Sequence, residues 1–207
     1  MRRRALASPF LACQRPPHGQ GDHHGSAGVF AGASALIAAT AAASGTPAQT
    51  VHLAGAAVSD AVAEASGRQR RLLLVFHASW CVYCRLFDRL LTHRDAAPII
   101  ERHFEVLHLR AQERQKLRQD QQLAGADDVY HSFAPAGAGL PYMVVLGDGS
   151  KKIADSIMAS GESFGFPVEP AELNGFDVML RAGAPDIIRS ELSTLRRVCK
   201  ALIKEKT

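Results

Sequence analysis

Two cysteines, Cys81 and Cys84, stand three positions apart in Trp80-Cys81-Val82-Tyr83-Cys84, directly after the apolar run Leu72-Leu73-Leu74-Val75-Phe76. A strand that runs straight into a helix start leaves the first cysteine among the unpaired backbone N–H groups of the opening turn. Those groups and the positive end of the helix dipole stabilise a thiolate. The chemistry such a pair can do is dithiol–disulfide exchange, in which an exposed, acidified thiol attacks and a second thiol within reach resolves the mixed disulfide. The spacing makes Cys81, pointing toward solvent, the expected nucleophile and Cys84, one turn inside, the resolving thiol. Trp80 would shield the pair and offer a substrate chain an aromatic surface, with Tyr83 on the same rim.

The elements that must position these residues are legible from periodicity. Residues 56–66 carry Val58, Val62 and Ala65 at helical spacing, with Gly67 as a stop. The unbroken apolar segment Leu72 to His77 suits a central strand covered on both faces. A helix is expected from Cys81 to about Thr92, and a short one from Ala96 to His103. A second strand follows from Phe104 to Arg110, then a polar helix from Glu113 to Leu123. Gly125 to Gly139 reads as a long loop, of a length that is usually functional or mobile. Tyr142 to Leu146 and Lys152 to Ala159 pair across the turn Gly147-Asp148-Gly149. Helices are expected over Glu169 to Arg181 and Asp186 to Lys204. That order makes an α/β fold, a central mixed sheet flanked by helices, with an extra C-terminal helix.

The 207 residues allow one well-buried domain, and 47% hydrophobic with 21% charged residues is an ordinary globular composition. The net charge of +4 divides into +3 over residues 1–50 and +1 over the remainder, so a nucleic-acid partner has little support. Four cysteines are too few for a disulfide scaffold. Residues 1–48 read as a signal peptide or disordered leader. Three arginines open it, an alanine-rich uncharged run spans Ala27 to Ala43, and small-residue cleavage patterns occur at Ala41-Ala42-Ala43 and Thr46-Pro47-Ala48. A periplasmic or secreted location is the expectation, with membrane contact only through an uncleaved leader. Whether Met1 is the true start stays open, and the leader's His18, His23 and His24 read as polar filler. The folded domain is expected over 51–207, its core at about 56–181 and its helical extension at 186–204.

Val75-Phe76-His77-Ala78-Ser79-Trp80-Cys81-Val82-Tyr83-Cys84 resembles the strand-to-active-site segment of the thioredoxin superfamily. Gly139-Leu140-Pro141-Tyr142-Met143-Val144-Val145-Leu146 resembles its cis-proline strand. The Trp-Cys-Val-x-Cys form with Gly-Leu-Pro is most similar to exported members such as the C-terminal domain of the bacterial membrane disulfide-reducing relay. The resemblance implies a thioredoxin-like fold, a cis Leu140–Pro141 bond beside the two sulfurs, and a Leu140 backbone that pairs with substrate as an added strand. It also implies an enzyme with no cofactor beyond its own Cys81–Cys84 couple, acting on protein thiols and disulfides and fed by an upstream electron donor that the sequence does not name.

The chain departs from that pattern at several points. Where thioredoxins carry a buried carboxylate, six residues before the first cysteine, this chain has Val75. His77 lies two residues on and could titrate near neutrality, as a proton-transfer group or as a structural residue. Val82-Tyr83 lacks the histidine of strongly oxidising relatives, which leans toward a reductant or mild exchanger. The segment before Pro141 is long, and its Asp127, Asp128, Tyr130 and His131 either line the substrate groove or form an exposed insertion. Cys199, on the apolar stripe of the last helix, is expected to be buried and inert. Two other readings compete: a thioredoxin-like copper-binding or delivery protein, and a non-catalytic adaptor that keeps the groove. No resident metal site is expected, since a zinc site would need two further ligands.

Overall fold

The computed structural model describes residues 48–205. Residues 1–47 of the expected leader, with its histidines, lie outside the described residues, and Ala48, its last residue, already belongs to a helix. The two most buried strands lie at the centre of the sheet. β1 (Arg71–His77) and β3 (Tyr142–Leu146) run antiparallel as neighbours, and Leu72 to Phe76 and all of β3 are at most 1% exposed. β2 (Phe104–Arg110) pairs parallel on the far side of β1, and β4 (Lys152–Asp155) pairs antiparallel with β3 at the other edge, so the order is β2-β1-β3-β4. Such unbroken apolar runs can only be buried from both sides.

The two-residue period of the strands divides the core. Leu73, Val75, Met143 and Val145 face one layer of helices, α2 (Val82–Leu91), α3 (Ala97–His103), α6 (Pro170–Gly183) and α7 (Arg189–Lys204). Leu72, Leu74, Phe76, Tyr142, Val144 and Leu146 face the other, α1 (Ala48–Gly67) and α5 (Ala126–Phe133). α7 is therefore an integral part of one layer: Leu192, Leu195, Val198, Cys199 and Leu202 are all buried in it. Among the described residues no helix is long and apolar enough to cross a membrane.

Three expectations are corrected. The loop expected over Gly125 to Gly139 contains α5. Asp127 and Asp128 favour its N-terminus, and Ala126, Tyr130 and Phe133 recur at helical spacing and pack onto Phe76 and Tyr142. The polar helix expected over Glu113 to Leu123 shrinks to the single turn α4 (Lys116–Gln119). Its sequence carries no periodic apolar stripe to sustain a longer helix, and its glutamines serve the chain instead: Gln122 Oε1 accepts from Glu113 N at 2.8 Å and Gln119 Nε2 donates to Glu113 O at 3.0 Å. The last strand stops at Asp155 rather than Ala159, where Asp155 Oδ1 turns back to take the Ile157 N–H.

α6 is seated against the sheet through its final residue. A Cβ on Gly183 would lie 2.6 Å from Val145 Cγ1 and 2.8 Å from Phe104 Cε1. Gly183→Ala is therefore expected to destabilise the fold by about 1–3 kcal/mol through overpacking, measured as a lowered denaturation midpoint with an unchanged slope.

Candidate redox site

β1 ends at His77, and the chain crosses to α2 in one tight turn, in which Cys81 N donates to Ala78 O at 3.1 Å. Cys81 is the N-cap of α2, with φ −81° and ψ 110°, and its sulfur accepts from Cys84 N at 3.0 Å. A side-chain acceptor there satisfies one of the orphan amides of the first turn. The first turn of α2 holds no acidic residue to oppose a negative sulfur. Cys81 and Cys84 are joined by a disulfide, with Cα atoms 5.3 Å apart. α2 is held in place by Leu86, Phe87 and Leu90, and Phe87 meets Phe176 of α6 edge to face at 6.3 Å.

The sulfur pair sits deeper than its spacing suggests. Cys81, expected to face solvent, is only 4% exposed and Cys84 2%; both pack with Ala78 and are covered by Leu140. The apolar Leu140 side chain closes over the bridge because both surfaces lose water by doing so. Around it, Trp80 and Tyr83 are 39% and 44% exposed. The Leu140–Pro141 bond is cis. A cavity of about 450 Å³, lined by Trp80, Gln112, Arg114, Asp127, Tyr130 and Leu140, lies to one side of Leu140. Another of about 370 Å³, lined by Tyr83, Leu140, Phe164, Phe166 and Glu169 among others, lies to the other. The 125–139 segment thus forms a wall beside Trp80.

His77 makes a ring contact with His108, edge to face at 5.4 Å, and His108 Nδ1 lies 3.5 Å from Asp88 Oδ1. Burial, and then the neighbouring His108, hold the His77 pKa below the ordinary histidine value; burial does the same to His108. Position 75 is apolar core. A buried carboxylate nevertheless reaches the site, from Glu113 in the segment after β2. Its side chain has no exposed surface, and its oxygens accept from Ser79 N and Ser79 Oγ, each at 2.7 Å. Sequence reading missed it, because nothing local distinguishes Glu113 from a solvated helix residue. Trp80 Nε1 donates to Gln112 O at 2.8 Å, and the Arg114 guanidinium stands 3.8 Å over the Trp80 ring. Among the described residues no group of three or more His, Cys, Asp and Glu side chains is placed to hold a metal ion.

Cys199 is fully buried in α7, and burial pushes its thiol up to about 12. Reactivity follows thiolate character and access. Leu140→Ala is therefore expected to speed alkylation of Cys81 in the reduced, folded protein several-fold while Cys199 stays unmodified, as read by mass spectrometry of the labelled peptides.

Residues 54–147 match the model of a family described as thioredoxin-like. No curated protein matches the chain. Among solved structures, a disulphide isomerase from Xylella fastidiosa Temecula1 is 19% identical, with a TM-score of 0.41 over 74% of this chain and 92% of that one. A DsbH oxidoreductase is 16% identical, with 0.40 over 58% and 79%. A thioredoxin from Thermus thermophilus is 17% identical, with 0.37 over 62% and 88%. The assignment does not lean on these distant likenesses, and the finer resemblance to the relay domain is no part of it. It rests on the matched stretch, which contains β1, the cysteine turn, β2 and the strand after the cis-proline. On that ground residues 54–147 are thioredoxin-like, and the chain carries an α/β thioredoxin-like fold.

Proposed function

We propose that the protein is a thiol–disulfide oxidoreductase acting on protein disulfides through the Cys81–Cys84 couple, as a reductant or mild exchanger. One observation carries the reading: the Cys81 sulfur sits at the tip of α2, takes the Cys84 N–H at 3.0 Å, and is within bonding reach of the Cys84 sulfur. The same arrangement that closes the bridge stabilises a thiolate once the bridge is opened.

In the reducing direction the Cys81 thiolate attacks one sulfur of a substrate disulfide. A mixed disulfide forms, and the other substrate sulfur leaves as a thiolate and takes up a proton. Cys84 then gives up its proton and attacks Cys81 Sγ, which releases the second substrate thiol. The substrate has gained two electrons and two protons, and the protein is left with the Cys81–Cys84 disulfide. A donor dithiol must return those electrons. Leu140 supports the encounter in two ways: its backbone precedes the cis bond, where an extended chain can add as a strand, and its side chain is the cover a substrate must displace. Trp80 and Tyr83 offer aromatic surface on either side. His77, whose pKa burial holds below the ordinary histidine value, is the candidate proton acceptor, and its ring meets His108 edge to face. The arginine- and alanine-rich leader supports a periplasmic or secreted location.

Insulin-disulfide reduction tests the reading. Cys81→Ser is expected to lower the rate by more than about 100-fold, as loss of a covalent nucleophile demands. Cys84→Ser is expected to accumulate a mixed disulfide with substrate, visible on non-reducing gels. A Cys81→Ser protein that reduces insulin at the wild-type rate would remove the proposal.

A further inference from the structure

The two middle residues of the turn that delivers Cys81 are both held by the segment after β2, and Ser79 O also accepts from Arg85 Nη1 of α2 at 3.3 Å. The turn runs Ala78, Ser79, Trp80, Cys81 and is closed by Cys81 N on Ala78 O. Glu113 takes the backbone N–H and the hydroxyl of Ser79, one on each oxygen. Its neighbours take Trp80: Gln112 O accepts the indole N–H, and Arg114 covers the ring. A carboxylate with no exposed surface is costly unless its oxygens are satisfied, and Glu113 spends both of them on a single residue, two positions before the nucleophilic sulfur.

The gripping tripeptide is itself fixed. Gln112 adopts φ +60°, a conformation a non-glycine residue keeps only when its surroundings impose it. Asp127 of α5 imposes it: Oδ1 accepts Gln112 N at 2.6 Å, and Oδ2 accepts Gln122 Nε2 at 3.2 Å. Gln122 Oε1 in turn accepts Glu113 N at 2.8 Å. A continuous path therefore runs from α5 through Asp127, Gln122 and Glu113 to Ser79 and the cysteine turn. Arg110 also faces Glu113, with Nε 3.7 Å from Oε1, the Arg85 guanidinium reaches Ser79 O, and the His77 ring feels the Glu113 charge.

We propose that Glu113 is a positioning residue for Cys81, acting through Ser79 to hold the redox turn at the tip of α2. The proposal rests on the thiol–disulfide reading above. Its two consequences separate by substitution. Glu113→Gln keeps the shape and removes the charge. Glu113→Asp keeps the charge but is one methylene too short for both 2.7 Å bonds to Ser79.

The experiment takes the full chain with wild-type, Glu113→Gln, Glu113→Asp, Ser79→Ala and, as a control for a merely structural carboxylate, Glu191→Gln. Glu191 pairs with Arg102 and His103 at the opposite end of β2 and is largely buried. Three quantities are read: the equilibrium of the 81/84 couple with glutathione, the pH midpoint of Cys81 alkylation in the reduced protein, and the melting temperature.

Removing a nearby negative charge favours the thiolate. Glu113→Gln should thus move the alkylation midpoint to lower pH and shift the glutathione equilibrium away from the bridge by about tenfold. Glu113→Asp and Ser79→Ala should each shift that equilibrium measurably, and Glu191→Gln should lower the melting temperature with both redox readouts in place. If the Glu113 and Ser79 variants melt lower but keep the wild-type midpoint and equilibrium, Glu113 is only structural and the proposal fails. If Glu113→Gln does not fold, the other two variants decide. If wild type itself forms no reversible bridge, the functional reading has failed, which is a distinct result.

Discussion

A sulfur accepting a backbone amide at a helix tip is the interaction on which everything else in this fold depends. The Cys84 N–H reaches Cys81 Sγ only because β1 stops and α2 starts within one turn. Both neighbours of that turn are immobile for ordinary reasons. β1 is central and buried on both faces, and α2 is pinned by Leu86, Phe87 and Leu90 against α6 and α7. The hydrophobic layers do no chemistry, but they fix the angle at which a helix dipole meets a thiol.

Around that joint the chain has built features of its own. α5 fills what would otherwise be a connection to the cis-proline strand, and its Tyr130 and Asp127 face the cavity beside Trp80. The segment from Gln112 to Arg114 connects this insertion to the redox turn by hydrogen bonds rather than by apolar packing, so geometry at the sulfur is coupled to a region far away in sequence. Leu140 adds an apolar cover, which leaves the disulfide dry and nearly inaccessible while its aromatic rim stays in water. Substrate approach must then exchange the Leu140 contact for contacts of its own.

The cysteine pair, β1, β3 and the terminal helix were legible because their signals are local, a spacing of three, a five-residue apolar run and a period of 3.6, whereas the cis bond before β3 was implied only by the family resemblance. α5 was not, because glycines flank it and its eight residues are too few for a periodic signal to stand out; tertiary burial of Tyr130 stabilises it. Glu113 was invisible for a different reason. Its partner Ser79 is 34 residues away, and a carboxylate in a polar stretch looks the same whether it meets solvent or a buried turn. The exposure expected for Cys81 erred in the same way, since the residue that covers it, Leu140, comes from a distant strand end.

The most direct test is the pH titration of the Cys81 thiolate, taken as the difference in 240 nm absorbance between the reduced protein and its Cys81→Ser variant. The helix-tip account predicts a midpoint clearly below the value of about 8.5 for a free thiol, together with reversible bridging to Cys84. A midpoint at or above that of a free thiol, with no bridge formed in oxidised glutathione, would contradict it.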